Sequence, residues 1–326
     1  MGKPIIAVGA LGGTICMSAG GESGGVKPAF SAKDLVSAVP VLNTLAELRA
    51  QTLFAVASGS LKIENLLHAL QWAEEQVKAG AKGVVITQGT DSLEESAFFL
   101  NLLWKLPEPL VITGAMRNPD SIGAEGGANI YASVLTALDD KSRNRGVLAV
   151  LNDTIHSAKW VHKSNTFSVN TFISQNAGPE GMVLEGSVKY LREPAVRQTF
   201  SYPDVALKVG ICWSYLDDGG DFIEFAQTNG YHGMIVSAFG AGHVSKDMMD
   251  TIAKLAGKFP IIIASRTESG VTAHITYGYY GSEITLQEHG AIMANWLSPV
   301  KARLLLMTLL ANKMDRAQIK QVFDNY

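Results

Sequence analysis

Hydroxyl and carboxylate side chains lie in this sequence where apolar segments end. Thr14 follows the first apolar segment, and Thr90 and Asp91 follow a run of β-branched residues. A threonine hydroxyl becomes a nucleophile when a neighbouring base removes its proton, and Lys163 is the best candidate for that base. Because a lysine beside a carboxylate normally keeps its proton, Lys163 must be desolvated or share that proton to act. These four side chains are the candidate catalytic residues.

Two of these features also have interpretations that involve no catalysis. Gly12, Gly13 and Thr14 could cradle a phosphate, although the Gly-x-Gly-x-x-Gly spacing of a dinucleotide site is absent. Lys163, taken alone, is typical of a solvated surface lysine. The histidines are scattered and show neither a zinc-binding spacing nor a Ser-His-Asp arrangement.

The residues around Thr90 have the pattern of a strand that leads into a helix. Residues 83–87 predict the strand, and Asp91 with Glu94 three residues later has the spacing of a capping box at a helix start. Thr90 and Asp91 could therefore serve only to cap that helix. At the carboxyl end of a parallel strand, however, they would also lie where open α/β sheets bind their ligands.

Strands and helices alternate along the whole chain, which predicts an α/β fold with parallel sheets and right-handed crossovers. The predicted strands are residues 5–8, 53–57, 83–87, 110–113, 147–151, 209–213, 234–236 and 261–264. Alternation lapses between them near residues 190–203. We therefore expect a larger N-terminal parallel-sheet domain (1–190), a linker (191–207) and a smaller C-terminal α/β domain (208–326), with the active site at strand carboxyl ends.

Composition limits the function classes. A chain of 326 residues is long enough for two domains, and its net charge of −3 without a Lys/Arg block argues against a nucleic-acid surface. Cys16 and Cys212 are far apart in the sequence, so we expect two free thiols in a reducing compartment. No apolar run is long enough to span a bilayer. The first residues lack the features of a signal peptide, so a cytoplasmic location is expected unless a cleaved signal preceded this sequence.

Motifs in order along nearly the whole chain closely resemble those of bacterial-type L-asparaginases. Residues 12–15 (Gly-Gly-Thr-Ile) and residues 87–95 (Thr-Gln-Gly-Thr-Asp-Ser-Leu-Glu-Glu) are similar to the paired threonine signatures of that family. The resemblance continues through residues 111–117, 144–147, 152–154, 163–166 and 297–303. The two threonine motifs together are highly specific.

The resemblance implies a two-domain amidohydrolase that converts L-asparagine to L-aspartate and ammonia (EC 3.5.1.1), with a weaker activity on glutamine and without cofactor or metal. It implies an acyl-enzyme on a threonine, with Thr14 favoured as the first nucleophile. Thr90, Lys163 and Asp91 would form a hydrogen-bonded group that handles protons. Ala115 would offer its main-chain carbonyl to the leaving amide.

Substrate binding follows from the same resemblance. Asp91 would hold the α-amino group of the substrate, and the serine that binds its α-carboxylate falls within Ser58, Gly59 and Ser60, where the alignment could shift by one residue. The family completes its site with residues from a neighbouring subunit. His243 lies at a position where members of the family commonly have an asparagine. The resemblance therefore implies a homotetramer built from tight dimers.

One departure from the family pattern leaves other functions open. The mobile loop of the family carries a tyrosine that helps activate the first threonine, but residues 17–28 contain none and Tyr131 is the first tyrosine of the chain. Glycines and serines in this loop favour a mobile lid. The alternatives are a catalytically weak amino-acid sensor, against which Thr14 and Lys163 argue, and a tRNA-dependent amidotransferase subunit, which would need an extra domain or a basic face.

Overall fold

The computed structural model describes residues 2–19, 26–28, 30–201 and 207–326. The chain divides into two compact units, Met1–Thr199 and Phe200–Tyr326. Part of the predicted linker, residues 202–206, lies outside the described residues, so the linker boundaries stay a prediction.

Unit 1 contains an eight-stranded sheet with helices on both faces. The described strands of unit 1, in this sheet and in two short two-stranded sheets, are β1 (Ile5–Ala10), β2 (Met17–Ala19), β3 (Val26–Pro28), β4 (Glu47–Thr52), β5 (Ala81–Thr87), β6 (Leu110–Thr113), β7 (Val147–Leu151), β8 (Thr154–Ser157), β9 (His162–Lys163), β10 (Phe172–Ile173), β11 (Gly181–Leu184) and β12 (Ser187–Tyr190). Its described α-helices are α1 (Ala32–Ser37), α2 (Leu42–Leu45), α3 (Ile63–Lys78), α4 (Leu93–Leu103) and α5 (Gly126–Leu138).

The large sheet is mostly parallel, as predicted, and the order of its strands is β12-β11-β8-β7-β6-β5-β1-β4. β4, β1, β5, β6 and β7 run parallel, whereas β8, β11 and β12 extend the sheet antiparallel. The chain reverses after β7 at Asn152 and Asp153, whose φ angles are 50° and 56°. Two such residues form the tight turn that joins antiparallel strands, which explains why the sheet is mixed.

The central strands are buried on both faces, which accounts for their continuous apolar sequences. Ile6 and Val8 pack in one cluster with side chains of α1 and α5. Gly9 points to the other face, where a Cβ would come within 2.7 Å of the Trp72 ring of α3. Burial of one large apolar side chain contributes about 1.5–3 kcal/mol, so these two layers hold the strand ends in fixed positions.

The predicted strand at residues 53–57 is wrong. The strand lies earlier, at β4, and residues 53–57 leave the sheet. Main-chain hydrogen bonds still hold them beside β1, since Leu53 and Phe54 donate to the carbonyl of Ala10 and Val56 donates to that of Leu11. The segment therefore still delivers residues 58–60 to the carboxyl edge of the sheet.

The segment predicted to be a lid, residues 17–28, lies partly outside the described residues. The described parts are β2 and β3, which pair antiparallel, with Met17 opposite Pro28. The hydroxyl of Ser18 donates a hydrogen bond of 2.8 Å to Asp120. Residues 20–25 and 29 are not described, so the lid itself stays a prediction.

Unit 2 repeats the strand-and-helix alternation on a smaller scale. Its described elements are β13 (Val209–Trp213), α6 (Asp221–Thr228), β14 (Gly233–Ala238), α7 (Lys246–Leu255), β15 (Ile261–Ser265), α8 (Glu283–Glu288), β16 (Ile292–Met293), α9 (Pro299–Ala311) and α10 (Arg316–Asp324). The four strands are parallel and lie in chain order. In the described ranges of both units, no helix combines the length and apolar character that a membrane crossing requires.

Candidate active site

The turn before Thr14 is built from two glycines in the left-handed region. Gly12 and Gly13 have φ angles of 105° and 87°, which residues with a Cβ rarely adopt. A Cβ on Gly12 would lie 2.5 Å from the amide nitrogen of Val56. The turn therefore packs tightly against the segment that follows β4, and it places Thr14 at the start of a short 3₁₀ helix, Thr14–Cys16.

The two threonine turns lie in direct contact. A Cβ on Gly13 would lie 2.0 Å from the amide nitrogen of Gly89, so only a glycine fits between these main chains. The turns are also joined by a hydrogen bond of 2.8 Å from the Leu11 N–H to the Thr87 carbonyl. The parallel sheet thus brings the Thr14 turn and the Thr90 turn to one edge, as predicted from the strand ends.

Lys163 reaches the Thr90 turn from the short strand β9. Its Nζ donates hydrogen bonds to Thr90 Oγ1 at 2.9 Å and to Asp91 Oδ1 at 2.6 Å. The Thr90 residue is 6% exposed, whereas the Asp91 side chain is 73% exposed. The Thr90–Lys163 contact can carry a proton between hydroxyl and amine, and the exposed Asp91 carboxylate can also meet a cationic group from solution.

The capping box predicted for Asp91 and Glu94 does not form. The N-cap of α4 is Ser92, and it makes no side-chain capping bond. The Asp91 carboxylate binds Lys163 instead, and Glu94 Oε2 accepts hydrogen bonds from the Lys163 N–H at 3.0 Å and from His162 Nδ1 at 2.8 Å. Both carboxylates therefore accept hydrogen bonds from residues of β9 and do not cap the start of α4.

Comparison with known families and structures agrees with this arrangement. The family model "Asparaginase, N-terminal" matches residues 5–196, and "Glutaminase/Asparaginase C-terminal domain" matches residues 208–323. The chain belongs to the asparaginase family.

Individual proteins of this family match the chain over nearly its whole length. L-asparaginase 2 of Escherichia coli (strain K12) is 35% identical over 99% of this chain and 93% of its own length. Glutaminase-asparaginase of Pseudomonas fluorescens biotype A is 31% identical over 97% of this chain and 89% of its own. The crystal structure of a probable cytoplasmic L-asparaginase from Campylobacter jejuni superposes with a TM-score of 0.88 at 31% identity and covers 99% of this chain and 100% of that one.

Ser58 is the serine that the fold places against the asparaginase threonine turns. It is 5% exposed, and its Oγ accepts a hydrogen bond of 3.1 Å from the Asp91 N–H. Its carbonyl accepts a second bond of 2.9 Å from the Ser92 hydroxyl. Gly59 and Ser60, the other residues predicted to bind substrate, are exposed. The geometry therefore favours Ser58 between the two serines that the sequence left open.

The loop after β6 places Ala115 at the same edge, where the whole residue is buried. Asn129 of α5 fixes this loop, because its Nδ2 donates to the Gly114 carbonyl at 2.9 Å and its Oδ1 accepts from the Asn152 N–H at 2.9 Å. The carboxylate of Glu125 accepts from the Met116 N–H. The sequence did not indicate that Asn129 and Glu125 hold this loop, because nothing local distinguishes them from ordinary residues of a helix.

His243 lies in unit 2 within a small aromatic cluster. Its Nε2 lies 3.1 Å from Glu283 Oε2, and its ring meets those of Tyr277 and Tyr279 edge-on at centroid distances of 4.8 and 5.5 Å. Its predicted role at the site of a neighbouring subunit stays a prediction.

Cys16 follows Thr14 closely but lacks the properties of a nucleophile. The thiol is buried and is not part of a disulfide. Burial raises its pKa to about 11, although a hydrogen bond with the Thr87 side chain acts more weakly to lower the pKa. A thiol with such a pKa is almost entirely protonated at neutral pH. Across the described residues, no three His, Cys, Asp or Glu side chains cluster in a way that could hold a metal ion.

Proposed function

We propose that this chain is an asparaginase-type amidohydrolase that converts L-asparagine to L-aspartate and ammonia (EC 3.5.1.1). The observation that carries the proposal is the group formed by Lys163, Thr90 and Asp91, which lies beside the Thr14 turn. The family membership and the names of the relatives add independent support.

In the proposed reaction, Thr14 Oγ attacks the side-chain amide carbon of asparagine and loses its proton. The C–N bond then breaks, that nitrogen leaves as ammonia, and an aspartyl ester of Thr14 remains. A water molecule next attacks the ester carbonyl, and cleavage of the ester releases aspartate and restores the hydroxyl. Thr90 and Lys163 relay protons, because their 2.9 Å hydrogen bond connects a hydroxyl with an amine beside the Thr14 turn.

The same geometry supports a set of substrate contacts. The exposed carboxylate of Asp91 is suited to the α-amino group, and Ser58 beside it is suited to the α-carboxylate. The main-chain carbonyl of Ala115 would accept a hydrogen bond from the amide that leaves. Side chains held at the packed ends of the strands present the amide in one orientation, which lowers the entropy cost of the attack.

A weaker activity on L-glutamine is the second candidate. Two relatives are named glutaminase-asparaginase, and they are 31% and 30% identical to this chain. The alternative of a catalytically weak sensor depends on the absence of a loop tyrosine, but the intact Thr90–Lys163 hydrogen bond argues against it.

We further propose that the enzyme is a cytoplasmic homotetramer of tight dimers in which His243 completes the site of a neighbouring subunit. Light scattering tests the assembly: a fully active monomer would contradict it. Fractionation of the source cells tests the location, and activity confined to the periplasm would contradict it.

An ammonia assay with L-asparagine, L-glutamine and the D-isomers tests the activity most simply. We expect turnover of L-asparagine and a lower rate with L-glutamine. If the folded protein releases ammonia from neither, the proposed function is wrong.

A further inference from the structure

The carboxylate of Glu94 lies beside Lys163, and no step of the proposed reaction uses it. Its Oε2 accepts hydrogen bonds from the main-chain N–H of Lys163 and from Nδ1 of His162. An ionised Glu94 carboxylate can only accept, so in that state the proton of this contact lies on Nδ1 of His162. The Glu94 side chain is only 13% exposed, so the two donors also offset the loss of water around its charge.

The strand that carries Lys163 is too short to fix it alone. β9 has two residues and pairs with the two residues of β10, where Lys163 lies opposite Phe172. Isolated two-stranded pairs are marginally stable in water even when they are longer. Glu94 therefore gives the Lys163 main chain a second attachment, to the first turn of α4.

Three residues of one short segment hold Lys163 at both ends. Thr90 and Asp91 bind its Nζ, and Glu94 binds its main chain. The helix α4 keeps Glu94 at a constant separation from the Thr90 turn, and its positive amino end favours a carboxylate there. The main chain connects Thr90 to Glu94, and the hydrogen bonds from Lys163 to these two residues close a ring.

We propose that Glu94 is a positioning residue that sets the distance between Lys163 Nζ and Thr90 Oγ1. The inference rests on the proposed function for its catalytic consequence, since Lys163 and Thr90 are the proton relay of that reaction. Because Glu94 has no assigned contact with substrate, its loss should lower kcat and leave KM almost unchanged. A lysine displaced by about 1 Å can cost about a hundredfold in rate.

Two substitutions at Glu94 separate positioning from charge. Glu94→Ala removes the hydrogen bonds to Lys163 and His162, and we expect kcat for L-asparagine to fall about a hundredfold. Glu94→Gln keeps a carbonyl oxygen that can accept both bonds, so it should recover most of the lost rate. Glu64→Gln is the matched control, because Glu64 is also in the first turn of a helix and is exposed. It should leave kcat unchanged.

A double-mutant cycle tests whether Glu94 acts through Lys163. Glu94→Ala should have no further effect on kcat in a Lys163→Met background, because the group that it positions is gone. A further hundredfold loss in that background would indicate a general structural role and overturn the inference. An unchanged kcat for Glu94→Ala in an otherwise active enzyme would also overturn it.

A crystal structure of Glu94→Ala tests the inference without an activity measurement. The Nζ–Oγ1 separation should increase from 2.9 Å to more than about 3.5 Å, beyond hydrogen-bond range. An unchanged separation would contradict the positioning role. If the parent protein releases no ammonia, the proposed function fails, but this distance still decides the role of Glu94.

Discussion

The main chain of Gly13 lies so close to that of Gly89 that a Cβ on Gly13 would come within 2.0 Å of the Gly89 nitrogen. This contact joins two turns that are far apart in the sequence, and each turn ends in a candidate catalytic threonine. Neither Thr14 nor Thr90 could keep its position if these main chains separated. The close approach of Gly13 and Gly89 therefore fixes the two threonine turns against each other.

Gly13→Ala should destabilise the protein and abolish activity. Its φ of 87° is strained for alanine, which costs about 1–3 kcal/mol before the clash with Gly89 is counted. Thermal unfolding of the variant should therefore begin at a lower temperature. Gly257→Ala is the control, because a Cβ there meets nothing within 4 Å and its φ is not in the positive range. Equal melting temperatures for parent and Gly13→Ala would contradict the contact.

Lys163→Met should lower kcat for L-asparagine by about a thousandfold, because general acid–base groups contribute factors of this size. Methionine keeps much of the length of the side chain but donates no hydrogen bond to Thr90 or Asp91. An ammonia-release assay measures the loss, and Lys258→Met, a change at an exposed lysine, serves as its control. Substantial activity in Lys163→Met would mean that protons reach Thr90 by another path.

The sequence predicts those features of the site that depend on local patterns. Apolar strands followed by glycines identified the turns of Thr14 and Thr90, because parallel strands bring their carboxyl ends together wherever they lie in the chain. The start of α10 also follows a local pattern, since Asp315 and Gln318 form a capping box there. These signals lie within a few residues of the structure that they specify.

Features that depend on distant partners were not predicted. The capping box of Asp91 and Glu94 failed because Lys163, about seventy positions later in the chain, offers both carboxylates stronger charged and main-chain donors. The three antiparallel strands of the sheet were not predicted, because the turn at Asn152 that reverses the chain requires positive φ, which no local sequence pattern specifies.

Glu283 in unit 2 gives a prediction on pH dependence. Burial acts to raise the pKa of its carboxyl group, but hydrogen bonds from main-chain N–H groups, including those of Tyr277 and Thr276, and from His243 outweigh burial and hold the pKa below its usual 4.5. A lowered pKa in the folded state means that the ionised group stabilises the fold above the unfolded pKa. This stability is lost as the pH falls through the folded pKa.

Glu283→Gln should therefore lower the free energy of unfolding at neutral pH, and the difference from the parent should shrink in acid. Denaturant unfolding at several pH values measures this difference. Glu288→Gln, in the same helix but exposed, should show no such trend. A deficit that stays constant or grows in acid would contradict the assigned protonation state.

L-asparagine should be preferred to L-glutamine. The close approach of Gly13 to Gly89 and the burial of Ala115 leave a compact site, which should penalise one additional methylene by about 1–3 kcal/mol. The ratio of the two kcat/KM values measures the preference. Equal values would show that the exposed segment at Gly59 and Ser60 makes room for the longer substrate.

The central claim is that Thr14 is the nucleophile, and the turnover of Thr14→Ala with saturating L-asparagine tests it most directly. We expect ammonia release to fall by about a thousandfold or more, because a covalent mechanism has no substitute for its attacking oxygen. Thr44→Ala, which removes an exposed hydroxyl of the same unit, should retain parent activity. Near-parent turnover in a folded Thr14→Ala variant would contradict the assignment.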